Sequence, residues 1–215
     1  MEVTSKSDNS PRKGYAAVMG LRELNAARTR ALIAGAAYAL FTEQGYEETT
    51  MEQVADRADV GSSTLYRYFP TKESLALAPL GEPGVMAAEV ARRPVGEPVD
   101  EVLGHAVLAL VADSDEAAAE TMRQVVEANP RLNAGLLDWL TKEYEQLVGA
   151  LAERTGRPAD DAALGASAWL AVFVLQRLGQ VRQSGRRRVS PEAAVRRVMR
   201  DLAAAPLIIP RVPTT

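Results

Sequence analysis

Apolar residues recur with helical spacing between Leu24 and Gln44. They form one stripe made of Ile33, Ala36, Ala37, Leu40 and Phe41, and this period is typical of an amphipathic helix. Gly45 follows where a helix commonly ends, because glycine readily adopts the left-handed conformation of a C-terminal cap. The pattern therefore predicts a helix from Leu24 to Gln44.

Two short helices are predicted after Gly45. Thr50 precedes Gln53 by three residues, which is the spacing of a capping box and indicates a helix start. The inward-facing residues of this helix would be Met51, Val54, Ala55 and Ala58. A turn over 59–61 then separates it from a second helix, Ser62–Tyr68. Thr71 is placed to cap a further helix that begins at Lys72.

A stretch rich in proline and glycine follows, and it predicts a domain junction. Its helix-breaking residues are Pro79, Gly81, Pro83, Gly84, Pro94, Gly96 and Pro98. We therefore predict a first folded domain over 21–78 and a second over 79–205. The polar residues 1–20 are expected to be a mobile tail, and residues 206–215 an irregular one.

The second domain contains further helical patterns and no convincing strand or repeat. The predicted helices are Val99–Ala112, Asp115–Ala128, Arg131–Arg154, Asp160–Ser184, and one capped by Ser190 that runs to Ala205. Alanine and leucine are abundant and aromatic residues make up only 5% of the chain, which favours helices over strands. The predicted fold class is all-α, with the helical second domain packed separately from the first.

Composition disfavours an enzyme. The chain has no cysteine and one histidine, His105, so thiolate or histidine-rich metal sites lack their ligands. No GxSxG, phosphate-binding loop or HExxH motif is present, and a serine hydrolase would depend on His105 alone. We predict no catalytic residue, metal or cofactor. The acidic residues Glu127, Asp138, Glu143 and Glu145 are predicted to be surface charges on helices.

Charge and hydropathy predict a soluble cytoplasmic protein without a membrane partner. Residues 1–14 lack the apolar core of a signal peptide, and the longest apolar run, Leu164–Leu175, is too short to span a bilayer. The net charge of −3 describes the whole chain and does not exclude a local positive face that binds DNA. The basic run Arg186–Arg188 is interpreted as a solvated loop rather than a nucleic-acid patch.

Three runs of residues resemble the opening of the TetR family of transcriptional regulators. These are 37–46 (AYALFTEQGY), 49–55 (TTMEQVA) and 64–73 (TLYRYFPTKE), and the resemblance extends over about residues 28–76. It implies an N-terminal helix-turn-helix that binds double-stranded DNA over 21–78, followed by a helical domain for ligand binding and dimerisation. The second helix of a helix-turn-helix enters the major groove, and here that helix is Ser62–Tyr68.

The resemblance also implies individual DNA contacts. Thr50 would contact a phosphate at a helix start, Ser62, Ser63 and Thr64 would face the bases, and Lys72 would hold another phosphate. Tyr66 and Tyr68 could pack or contact phosphates, and their position beside Arg67 favours contact. The predicted DNA-binding set is Thr50, Ser62, Ser63, Thr64, Tyr66, Arg67, Tyr68 and Lys72, while Leu65 and Phe69 would be core.

This sequence departs from the family pattern within the motif. Asp59 stands where glycine is usual in the turn, but aspartate tolerates the left-handed conformation. Gly61 replaces a capping Ser or Thr. Residues 62–64 include no Arg, Asn or Gln, the side chains that read bases in a bidentate manner. DNA shape, or Arg22, Arg28 and Arg30, would then supply part of the specificity.

Family resemblance further implies a homodimer through helices 160–184 and 190–205, and a repressor that an unknown small molecule releases from a near-palindromic operator. The apolar segment 162–169, with its small residues, independently favours a helix pair. The candidate ligand-pocket residues are His105, Met122, Trp139, Tyr144, Trp169 and Phe173. The default alternative is that His105 is a surface residue and the others are core. A ligand-independent regulator and an activator remain alternative functions.

Overall fold

The computed structural model describes residues 20–112, 115–183 and 189–204, and within these ranges it contains helices and turns but no strand. The helices are α1 Leu21–Gln44, α2 Met51–Arg57, α3 Ser62–Tyr68, α4 Lys72–Ala76, α5 Val85–Arg92, α6 Val99–Ala112, α7 Glu116–Ala128, α8 Leu132–Thr155, α9 Ala162–Gln183 and α10 Pro191–Ala204, with a 3₁₀ turn over Ala78–Leu80. The predicted all-α class is confirmed. Residues 1–19 and 206–215 of the predicted tails, the Arg22 side chain and the loop Arg186–Arg188 lie outside the described residues.

The described residues separate into two compact units, which divide between Lys72 and Glu73. The first unit has a core that α1, α2 and α3 share. Its fully or almost fully buried side chains are Ile33, Ala37, Phe41, Val54, Ala55, Leu65 and Phe69. Because α2 and α3 have only seven residues each, they depend on this packing rather than on intrinsic helix stability.

The second unit is a helical layer packed around α8 and α9. Its core combines side chains from five helices, including Met86, Val102, Leu147, Leu151, Val172 and Val195. α6 and α10 pack closely at Gly104, where a Cβ would lie 2.9 Å from Met199 Cε and the end of the methionine side chain would have to move. Among the described helices, none is both long and apolar enough to cross a bilayer.

Helix α5 was not predicted from the sequence. Its eight residues lie inside the Pro/Gly-rich stretch, whose composition predicts only a domain junction. Glycine at 84 adopts φ +109° and lets the chain turn directly into the helix, and Met86 and Val90 then point into the core. The proline and glycine residues therefore mark the two ends of a short helix and do not prevent one from forming.

The prediction that Glu143 is a surface charge is wrong. Its side chain is completely buried, and its carboxylate accepts hydrogen bonds from the backbone N–H groups of Gly84 and Met86. The other three acidic residues, Glu127, Asp138 and Glu145, are exposed as predicted. Helical position alone did not reveal the burial of Glu143, because its partners lie 57 and 59 residues away.

Candidate nucleic-acid interface

The N-terminus of α2 is closed by the predicted capping box. The Thr50 hydroxyl accepts a hydrogen bond from the Gln53 N–H at 3.2 Å, and the Gln53 side-chain oxygen accepts one from the Thr50 N–H at 2.9 Å. Thr50 is exposed, so its hydroxyl lies at the protein surface beside the first N–H groups of a helix. Such groups attract anions.

Gln44 extends this capping box and was missed by the sequence analysis. Its side-chain Nε2 donates to Gln53 Oε1 at 2.9 Å, to the Glu48 carbonyl at 3.1 Å and to Thr49 Oγ1 at 3.3 Å. One amide at the end of α1 therefore fixes the loop that leads to Thr50. The partners are up to nine residues apart, a spacing that no local sequence rule covers.

The turn between α2 and α3 tolerates both departures from the family pattern. Asp59 adopts φ +52°, which is the left-handed region that aspartate enters more easily than most residues. Gly61 is extended and offers no side-chain cap, but its carbonyl accepts from the N–H groups of Thr64 and Leu65 at 2.9 and 3.1 Å. The helix-turn-helix geometry is therefore complete.

Helix α3 has one buried face and one polar outer face. Leu65 and the following Phe69 are completely buried, whereas Ser62, Ser63, Tyr66 and Arg67 are exposed and Thr64 and Tyr68 are half-buried. The Arg67 guanidinium lies 5.2 Å from the centre of the Tyr68 ring. The structure therefore places all six predicted contact residues of α3 outside the core, with short hydroxyl side chains at its N-terminal end.

Lys72 is held in place at the start of α4. Its ammonium lies 4.3 Å from the centre of the Tyr46 ring and donates to the Glu47 carbonyl at 3.0 Å. An ammonium has three N–H donors, so this position is compatible with a phosphate as an additional acceptor. The charge is thus fixed beside the loop between α1 and α2.

Two of the remaining basic residues of the first unit, Arg57 and Arg30, make contacts within that unit. Arg57 forms a two-bond ion pair with Glu43, with N–O distances of 2.5 and 2.6 Å, and these bonds lower the pKa of Glu43. The guanidinium of Arg30 lies 4.7 Å from the centre of the Phe69 ring. Arg28 is exposed. Residues 24–72 contain five basic and six acidic side chains, so DNA binding here depends on where charges lie and not on net charge.

The sequence of this chain is similar to those of known transcriptional regulators. The model of bacterial regulatory proteins of the tetR family matches residues 33–78. The transcriptional regulator TcmR of Streptomyces glaucescens is 37% identical over 153 residues, which cover 66% of this chain and 67% of TcmR. The chain belongs to the TetR family.

Two further matches cover a smaller part of the chain or show only the fold. The transcriptional repressor KstR of Mycobacterium tuberculosis is 50% identical over 52 residues, 24% of each chain. The structure of Salmonella enterica GusR covers 83% of this chain and 96% of its own, with a TM-score of 0.50 and 24% identity, which shows a shared fold. The prediction of a DNA-binding transcriptional regulator rather than an enzyme is confirmed.

The second unit places the predicted ligand-pocket residues in different surroundings. Tyr144 and Trp169 stack with ring centres 4.7 Å apart, and Trp169 and Phe173 are 50% and 40% exposed rather than core. His105 is exposed, with Nε2 lying 3.7 Å from Glu97 Oε1.

The last two candidates are Trp139, on the same helix α8 as Tyr144, and Met122, on α7. Trp139 donates from Nε1 to the Gly81 carbonyl at 3.0 Å, and Met122 is half-buried on α7. The structure thus brings together only Tyr144 and Trp169 by a direct ring contact, and the lining of a ligand cavity by this set stays a prediction. Within the described ranges, no group of three or more His, Asp or Glu side chains could hold a metal ion.

Proposed function

We propose that this TetR-family protein is a homodimeric repressor that binds a near-palindromic operator and is released by a small molecule. The observation that supports DNA recognition is the polar outer face of α3, set against a fully buried inner face. A repressor is supported by the similarity to the KstR proteins, which are described as repressors. In a dimer, the two recognition helices would read half-sites about 34–36 Å apart or a multiple of this distance.

The proposed contacts divide by chemistry. The hydroxyls of Ser62, Ser63 and Thr64 face base edges, and short hydroxyl side chains read bases less selectively than Arg, Asn or Gln. The phosphate-contacting groups are Thr50, which caps α2, Tyr66, Arg67 and Tyr68 on α3, and Lys72 on α4. Since phosphate contacts position a protein without reading sequence, DNA shape supplies the remaining specificity.

The proposed dimer forms through α9 and α10. Ala166, Trp169 and Phe173 follow one another at spacings of three and four residues, and all three are exposed. Two large aromatic side chains on one helix face, next to small residues, form a surface suited to packing against another helix. The substitution Trp169→Glu should yield monomers in sedimentation velocity, whereas Leu137→Glu, which alters an exposed leucine on α8, should leave the dimer intact.

The proposed ligand is apolar or amphipathic and binds in the second unit. Three of the six predicted lining residues are half-buried: Met122, Trp139 and Tyr144. Substitutions that test ligand binding should begin with these three. His105, Trp169 and Phe173 are more exposed and would be tested after them. A ligand releases DNA only if it binds the DNA-free arrangement of the dimer more tightly than the DNA-bound one.

The test starts from fragments of the host genome selected on the purified protein and then assayed by gel shift. A folded dimer that selects a near-palindromic sequence supports the proposal, and one that selects no specific sequence contradicts it. Compounds related to the products of the adjacent genes are then added to the complex. Dissociation supports the ligand switch. Loss of transcription, rather than gain, when the protein is removed would show an activator instead of a repressor.

A further inference from the structure

Four side chains on one face of α8 bind the backbone of the segment 81–97. We name this set the α8 stripe; it consists of Trp139, Glu143, Gln146 and Arg154. Gln146 belongs to it through its Nε2, which donates to the Pro83 carbonyl at 3.5 Å. At 3.6 residues per turn these positions lie within an arc of about 80° on the helix surface. One helix face therefore holds the turn before α5, both ends of α5 and the loop after it.

Glu143 binds the N-terminal end of α5. Its Oε1 accepts from the Met86 N–H at 2.8 Å and its Oε2 from the Gly84 N–H. These N–H groups lie at the start of the helix, where no preceding turn supplies acceptors, and a negative charge complements that end of the helix dipole. Because Glu143 is completely buried, loss of either bond would leave a buried polar group unsatisfied.

Arg154 binds the opposite end. Its guanidinium donates to the carbonyls of Val90 and Arg93 at 3.2 Å, of Pro94 at 2.5 Å and of Glu97 at 3.3 Å. Carbonyls at a helix C-terminus lack intrahelical donors, and a cation complements that end of the dipole. The α8 stripe thus presents to each end of α5 the charge that the end attracts.

The turn into α5 is fitted closely to α8. Trp139 Nε1 donates to the Gly81 carbonyl at 3.0 Å. Gly84 has φ +109°, and a Cβ at this position would lie 2.2 Å from Gln146 Oε1. Helices of eight residues are not stable in isolation, and proline and glycine separate α5 from the neighbouring helices. The folding of α5 therefore depends on its contacts with the rest of the second unit, which combine the packing of Met86 and Val90 in the core with the bonds from α8.

We propose that the α8 stripe is a conformational lock: the segment 84–93 closes onto α8 and opens from it as one cooperative piece, while the rest of the second unit stays folded. In the chain, this segment follows α4, which begins at the last residue of the first unit. The lock therefore lies near the start of the second unit, which begins at Glu73. Its regulatory meaning rests on the proposed ligand switch, but its physical test does not.

Hydrogen–deuterium exchange of the free full-length protein tests the lock, read at the amides of 86–93. Glu143→Gln keeps the shape of the side chain but turns one acceptor into a donor that faces an N–H. We expect exchange about 10–100-fold faster over the whole of 86–93, since hydrogen bonds to a charged group are lost. The matched control is Glu145→Gln, an exposed glutamate on the same helix, which should leave these amides unchanged.

Arg154→Lys tests the same claim from the other end, because lysine keeps the charge but cannot reach four carbonyls in the same way. If the segment opens as one piece, this variant also speeds exchange at Met86, and Glu143→Gln speeds it at Arg93. Acceleration confined to the substituted end would contradict the lock, as would equal acceleration in α6 and α9. Failure of both variants to fold would also contradict it. No DNA or ligand is present, so this outcome is independent of the operator experiment.

Discussion

The substitution Thr50→Ala separates the structural and the DNA-binding roles of one hydroxyl. It removes the bond from the Gln53 N–H to Thr50 Oγ1. It leaves the reciprocal bond from the Thr50 N–H to Gln53 Oε1 intact, as well as the support from Gln44. Because half of the capping box survives, we expect a stability loss of about 1 kcal/mol, the middle of the range for a lost N-cap.

The effect on DNA binding should equal or exceed the effect on folding. One hydrogen bond to a phosphate is worth about 0.5–1.5 kcal/mol, and a dimer loses two, which gives about 1–3 kcal/mol. At 1.36 kcal/mol for each factor of ten, operator affinity should fall about 5-fold to 150-fold. The salt dependence should stay the same, because the hydroxyl has no charge to displace a counterion.

Stability and DNA affinity are measured in two separate assays, each with two control variants. Urea unfolding measures stability, and fluorescence anisotropy with labelled operator measures Kd. Thr50→Ser keeps a capping hydroxyl and should behave like the wild type in both. Thr42→Ala removes an exposed hydroxyl of α1 that bonds only locally to the Tyr38 carbonyl at 2.9 Å. A Kd for Thr50→Ala within twofold of that for Thr42→Ala would refute the phosphate role, even if the stability loss were observed.

Three further predictions concern other positions. Lys72→Ala should weaken operator and random DNA by similar factors and reduce the slope of log Kd against log salt by about 1.8 for the two protomers of a dimer; an unchanged slope would exclude a phosphate contact. Gly35→Ala, in open space on α1, should stabilise by about 0.5–1 kcal/mol in urea unfolding, whereas Gly84→Ala should destabilise by about 1–2 kcal/mol because of its positive φ; equal signs would contradict this. Hydrogen bonds from the first backbone N–H groups of α9 lower the pKa of Asp161, so its contribution to stability is present above the unfolded pKa of about 3.9 and is lost as pH falls through the lower folded pKa. The Tm difference between wild type and Asp161→Asn should therefore shrink from pH 7 towards pH 3, and a difference that grows would contradict the assignment.

Local signals predicted the first unit well. The capping box at Thr50 and the bounds of α3 depend on residues within a few positions of each other, and both are confirmed. The left-handed turn at Asp59 was predicted from the same kind of local preference and is also confirmed. The family resemblance added the functional meaning of these elements, which helical periodicity alone could not provide.

Long-range contacts explain what the sequence did not show. Helix α5 was missed because its ends are held by side chains of α8 that lie about 60 residues further along the chain. The same contacts bury Glu143, whose helical position favours an exposed charge. Core packing is the default expectation for large aromatic residues such as Trp169 and Phe173. They are exposed on α9 instead, because exposure depends on which face of that helix packs inward.

The central claim is that α3 and the start of α2 bind a specific DNA sequence. The most direct measurement is a hydroxyl-radical footprint of the purified protein on its selected operator, compared between the wild type and Thr50→Ala. We expect protection of two symmetric half-sites whose centres are separated by about one helical turn or a multiple of it, with weaker protection for the variant at equal protein concentration. A folded wild-type protein that protects no specific site, or one whose protection is unchanged by the substitution, would contradict the account.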